Sequence, residues 1–116
     1  MTNIQIVKNK GNITGFVVSG HSGYSSAGKD IVCSAISAMS QMVCVGLENV
    51  LNLKPTIEID EEKAYLKCAL QQNLSNEEKN QAQVLLKTFE ESINLLLVGD
   101  KKLKKYILVE VKNEIY

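Results

Sequence analysis

Two side chains in this sequence have the chemistry of a nucleophile and its base, and they stand close together along the chain. His21 is the single histidine of the protein, and Cys33 follows it across a glycine-bearing stretch. The stretch reads Gly20-His21-Ser22-Gly23-Tyr24, then Gly28-Lys29-Asp30-Ile31-Val32-Cys33-Ser34-Ala35. A thiol that ionises near 8.5 when free can be brought into a range of roughly 3.5–7.5 by a helix N-terminus or an adjacent histidine. Imidazole titrates near neutrality and is the natural base for such a thiol. The intervening loop can double back to bring the two within hydrogen-bond reach, which is the arrangement of an activated nucleophile.

The surrounding pattern predicts how the pair would be held. Asp30 is suited to cap a helix that starts at Ile31, which places Cys33 in the first turn, where unpaired N–H groups and the helix dipole favour negative charge. The same N–H groups could stabilise an oxyanion during acyl transfer. Asp30 has a second possible role as the orienting third member of a triad. Against all this stands the bland account: a histidine and a cysteine that serve no common purpose, in a connection merely shaped by glycine. Ser22 and Ser34 are weaker nucleophiles that would need the base even more. A metal site at His21 and Cys33 is the weakest reading, because no further ligands stand at useful spacing.

The elements around this stretch alternate between two periods. Asn3–Lys8 and Asn12–Gly20 read as strands joined by the tight turn Asn9-Lys10-Gly11-Asn12. The second would put Ile13, Gly15, Val17 and Ser19 on one face, and Thr14, Phe16 and Val18 on the other. His21–Lys29 lacks an apolar period and reads as a loop. A very apolar helix is predicted from Ile31 to about Leu53, stopped by Lys54-Pro55. Thr56–Ile59 and Lys63–Leu70 form a second hairpin around Asp60-Glu61-Glu62. Ser75-Asn76-Glu77-Glu78 then carries the spacing of a capping box. The helix it opens shows Val84, Leu85, Phe89, Ile93, Leu96 and Leu97 on one side, with Gly99 at its end, and Tyr106–Lys112 closes the chain as a strand. The order ββαββαβ predicts one α/β domain over residues 1–116. It would be a two-layer sandwich, with a mixed, largely antiparallel sheet and two helices packed on one face.

Composition narrows the class of function. Thirteen basic residues balance thirteen acidic ones, so no global field draws the chain to nucleic acid or to an anionic membrane, and neither partner is expected. Polar residues interrupt the first helix too often for a membrane span. The beginning of the sequence lacks the order of a signal peptide, so a cytoplasmic protein is expected. Three cysteines make no disulfide framework; Cys44 and Cys68 read as packing residues. Lys101-Lys102-Leu103-Lys104-Lys105 reads as a solvated turn that complements a helix dipole, with a contact to RNA as the sharper alternative.

At Gly20-His21-Ser22-Gly23-Tyr24 and Gly28-Lys29-Asp30-Ile31-Val32-Cys33-Ser34-Ala35, continuing into Ile36-Ser37-Ala38, the chain resembles the ribosomal-processing cysteine proteases of the Prp family. The similarity extends to chain length and the order of elements. It implies that Cys33 is the nucleophile and His21 its base, in a cytoplasmic and often dimeric enzyme. Such enzymes remove an amino-terminal extension from a large-subunit ribosomal protein, number twenty-seven, by acyl transfer to the cysteine and hydrolysis, and the resemblance implies no metal or organic cofactor. The resemblance also implies an apolar and aromatic cleavage motif ending in a small residue, admitted by movement of the loop between His21 and Cys33. Substrate contacts are expected near Gly23, Tyr24 and Ser37. Ser25-Ser26-Ala27 departs from relatives that carry bulkier or charged residues there, so contacts in that part of the loop do not carry over.

A reading from another class is a non-catalytic ribosome-assembly or adaptor module that holds a ribosomal protein through the same fold. An adaptor has no need of a nucleophilic thiol at a helix start. The uncovered sheet face and the apolar first helix make a homodimer the expected assembly in either case.

Overall fold

β-branched residues flank a turn that two residues complete, and the result is the hairpin of β1 (Thr2–Asn9) and β2 (Asn12–Ser19). Lys10 and Gly11 both take positive φ, 52° and 84°, the primed turn whose twist suits paired strands. The computed structural model describes residues 1–20 and 27–114, with the side chains of 27–31 left outside the description. A second hairpin pairs β3 (Thr56–Asp60) with β4 (Tyr65–Ala69), and β5 (Ile107–Asn113) runs parallel to β1. The five strands lie in the order β3-β4-β2-β1-β5.

Two helices make the long connections: α1 (Ala27–Val45) joins β2 to β3, and α2 (Asn76–Gly99) joins β4 to β5. The strands joined by each helix are parallel, and the two crossovers run opposite ways across oppositely directed strands. Right-handed crossovers of that kind deliver both helices to the same face. The expected two-layer ββαββαβ sandwich is therefore what the chain adopts.

The inward row of the sheet starts with Thr2, Ile4 and Ile6 on β1 and continues across Phe16, Cys68 and Ile107, all buried. A bulge makes one correction to the alternation read from the sequence. Val7 pairs with Gly15 but Lys8 pairs with Ile13, so Thr14 is the extra residue. An unpaired residue shifts the pleat by one, which turns Ile13 to the same inward face as Phe16, and both are buried. Beyond Gly15 the partner strand β4 has ended at Ala69. The side chain of Gln83 on α2 takes its place: Oε1 accepts from the Ile13 N–H at 2.8 Å, and Nε2 donates to the Ile13 carbonyl at 2.7 Å.

α1 departs from its predicted limits at both ends. It starts at Ala27, through residues expected to be loop, because Gly28 costs a helix only about 1 kcal/mol relative to alanine and its neighbours Ala27 and Lys29 favour helix. Its far end widens into a π-type turn over Gly46–Val50. Asn52 in the left-handed region (φ 55°) then stops it, ahead of Lys54-Pro55. Gly46 is where the helices meet closely, since a Cβ there would lie 2.7 Å from Cδ1 of Leu85.

α2 begins at the predicted capping box. Ser75 Oγ accepts from the Glu78 N–H at 3.1 Å, and Glu78 Oε1 accepts from the Ser75 N–H at 2.9 Å. Its inward row is Ala82, Leu86, Phe89 and Ile93, and the Phe89 ring rests 4.5 Å from that of Phe16. Val84, expected inside, points out, because the face is chosen by the neighbouring sheet and Leu86 fills it instead. Gly99 is the last helical residue, and Asp100 turns the chain by accepting from the Lys102 N–H at 3.0 Å. The lysine cluster forms a 3-10 turn anchored by buried Leu103. Among the described residues, no helix is long and apolar enough to cross a membrane.

Candidate active site

Spacing on α1 decides where Cys33 stands. Cys33, Ile36, Ser40, Val43 and Leu47 recur at helical intervals of three and four, so they share one face, turned to the sheet. The last four are buried, whereas Cys33 is partly exposed. The thiol thus sits where the inward row emerges from the core. Its Sγ lies 3.4 Å from Oγ1 of Thr2, the first residue of the inward row of β1.

The same end of the sheet is where β2 leaves it. Asn3 pairs with Ser19, and Gly20 follows with φ 83°, its N–H donating to the Ala64 carbonyl at 3.0 Å. A Cβ on Gly20 would lie 2.6 Å from the carbonyl oxygen of Met1. The chain therefore leaves the sheet on a path that suits glycine alone, and the next residue in the sequence is His21. His21, Gly23 and Tyr24 fall outside the described residues.

Two expectations about helix chemistry change. Since α1 starts at Ala27, Asp30 is within its first turns and does not precede them as a cap. Cys33 stands six residues beyond the first helical residue, about 9 Å along the axis at the rise of an α-helix. That is past the first turn, where the unpaired N–H groups and the positive end of the dipole act. The helix start thus supplies neither the activation of Cys33 nor the oxyanion donors that the sequence suggested. Ser37, one turn beyond Cys33, is exposed, and its Oγ accepts from Gln41 Nε2 at 3.1 Å.

Thr2 is the contact that sequence reasoning missed. Its signal was a hydroxyl one step ahead of Ile4 and Ile6 in an otherwise apolar inward row, hidden because the strand was read as starting at Asn3. The other two cysteines are packing residues, as expected. Cys44 of α1 and Cys68 of β4 are buried in the same core cluster. A hydrogen bond with Cys44, together with burial, pushes the Cys68 thiol well above its ordinary range. Among the described residues, no group of three or more histidine, cysteine or acidic side chains could hold a metal ion. A groove of about 970 Å³ follows the opposite, open face of the sheet past Gln5, Val17, Tyr65 and Lys67. Cys33 is on the helix-covered side and does not line it.

The family described as Cysteine protease Prp matches residues 1–107. No curated protein matches the chain. Among solved structures, SMU.848 from Streptococcus mutans is similar with a TM-score of 0.82 at 23% identity, over 98% of this chain and 96% of that one. An essential ribosomal processing protease Prp from S. aureus, in complex with a substrate peptide, is similar with a TM-score of 0.79 at 20% identity, over 97% of this chain and 100% of that one. The same S. aureus protease with a covalently linked product peptide gives 0.78 at 21% identity, with the same coverage of both chains.

Proposed function

This chain belongs to the cysteine protease Prp family, and on that premise we propose that it removes the amino-terminal extension of a large-subunit bacterial ribosomal protein, number twenty-seven. Cys33 is the nucleophile and His21 the base. The observation that carries this reading is the convergence at one end of the sheet. There the partly exposed Sγ of Cys33 rests on Thr2, beside the point where β2 leaves through Gly20 toward His21. Family membership in a cysteine protease class displaces the adaptor reading. The S. aureus relative, described with a substrate peptide and with a covalently linked product peptide, supports both the class of substrate and a covalent step.

The chemistry needs only these two side chains and water. His21 takes the thiol proton, and the Cys33 thiolate attacks the scissile carbonyl carbon. The amine leaves with a proton from the imidazolium, which leaves a thioester on Cys33. Water, deprotonated by His21, then releases the carboxylate and restores the thiol. Tyr24 and Gly23 contact the substrate from the segment after His21. Ser37 contacts it from the exposed side of α1. We further propose that the enzyme works in the cytoplasm as a homodimer through the outer row of α1, where Met42 and Val45 are 64% and 51% exposed.

The test is cleavage of the full-length ribosomal protein carrying its own extension, with the cut located by mass spectrometry. Wild type should make one cut after the extension, and Cys33→Ala and His21→Ala should make none while melting at the wild-type temperature. A folded wild-type protein that leaves this substrate intact would contradict the proposed substrate.

A further inference from the structure

Buried hydroxyls need partners, and the partner chosen by Thr2 is the thiol at the centre of the proposed reaction. Thr2 is 4% exposed. Its backbone is held against the start of β5: its N–H donates to the Tyr106 carbonyl at 2.8 Å, and it pairs with Ile107. Its neighbours in the inward row, Ile4 and Ile107, are apolar and buried. A β-branched side chain on a fixed strand has few χ1 choices, so the hydroxyl is a rigid post. Against it stands Cys33 Sγ at 3.4 Å, within hydrogen-bonding range for sulfur.

The two protonation states of Cys33 use this bond differently. With a thiol, either atom can donate. Once the proton has gone to the base, sulfur has none to give and the hydroxyl must be the donor. The bond then becomes charge-assisted, and a hydrogen bond to the charged form favours that form. The helix start lies too far back to do this work. We propose that Thr2 is a positioning residue for Cys33: its hydroxyl fixes the direction of Sγ at the mouth of the inward row and steadies the thiolate before attack. This inference rests on the reading of Cys33 as the nucleophile.

Two measurements on folded variants test it: the rate of iodoacetamide alkylation of Cys33 at neutral pH, followed by peptide mapping, and kcat and KM on the ribosomal-protein substrate. Thr2→Val removes the hydroxyl at nearly constant shape. Both alkylation and kcat should fall about tenfold, the size of one lost interaction of this kind, with KM unchanged. Thr2→Ser keeps the hydroxyl and should stay close to wild type. Thr2→Ser and Thr2→Ala differ by the hydroxyl alone, so their ratio reads the same bond should valine disturb the packing. Equal alkylation and kcat in Thr2→Ser and Thr2→Ala overturns the inference, as does a Thr2→Val enzyme with wild-type rates. Cleavage that survives Cys33→Ala would overturn the nucleophile reading and the inference together. Cleavage lost in Cys33→Ala but unaffected in every Thr2 variant would overturn the Thr2 inference alone.

Discussion

Gly20 and Met1 approach so closely that any side chain at position 20 would collide with backbone: its Cβ would lie 2.6 Å from the Met1 carbonyl oxygen. The positive φ of 83° adds a second obstacle to L-residues. Neither can be relieved by turning a flexible side chain. This point sets the path by which β2 hands the chain on to His21.

Gly20→Ala should therefore cost stability and activity together. Strain of this kind is worth about 1–3 kcal/mol, and the clash with the Met1 backbone adds to it. The expected result is a lower melting temperature and reduced cleavage even well below that temperature. A Gly20→Ala protein with wild-type melting and cleavage would show that this path is not constrained.

Gln83 makes a prediction about the fold that leaves the chemistry alone. Its amide serves both the N–H and the C=O of Ile13 at the bulge. Gln83→Leu leaves the two backbone groups without that partner, at about 1–3 kcal/mol for each group denied water. Urea denaturation should show the loss, while the alkylation rate of Cys33 stays at the wild-type value.

The Cys44–Cys68 contact makes stability fall in mildly alkaline solution. In the folded protein Cys68 is held protonated, by its hydrogen bond with Cys44 first and by burial second. In the unfolded chain it ionises near 8.5. Below that value Cys68 keeps its proton in both states. The same bond pushes the Cys44 thiol down, so there Cys44 loses its proton first in the folded state and stability rises with pH. Above the free-thiol value Cys44 is ionised in both states and Cys68 alone sets the slope. There the unfolded state binds fewer protons, so stability declines as pH rises, by up to about 1.4 kcal/mol per pH unit for one group. Chemical denaturation between pH 7.5 and 10, a window that brackets the free-thiol value, should show this slope, reduced in Cys68→Ala. An identical slope in that variant would assign it to other groups.

What could be read in advance was local. Lys10-Gly11 demands its turn, Ser75 and Glu78 cap each other three residues apart, and Phe89 and Ile93 share the buried side of their helix. What could not be read depends on neighbours distant in sequence. Thr14 bulges where β4 ends, and Val84 faces outward because the sheet selects Leu86. Asn52 stops α1 before Pro55 is reached. At the site, the sequence located Cys33 on the right helix but placed that helix start too late. Of the two sources of activation the sequence offers, His21 and the helix start, the second lies about 9 Å away, and the contact made within the structure is with Thr2 on a strand.

Alkylation of the native protein should also rank the three thiols. Cys33 is partly exposed and the other two are buried, so brief labelling at neutral pH should modify Cys33 first and Cys44 and Cys68 only after unfolding. Labelling of Cys68 at a rate equal to that of Cys33 would contradict the packing.

The proposed reaction turns on attack by Cys33 on the substrate carbonyl, with His21 as its base. The most direct measurement is covalent capture by a peptide that matches the cleavage site and ends in a thiol-reactive electrophile, with the adduct mapped by mass spectrometry. One adduct per chain is expected, on Cys33, absent in Cys33→Ala and formed far more slowly in His21→Ala. An adduct on Cys44 or Cys68, or equal capture with and without His21, would contradict it.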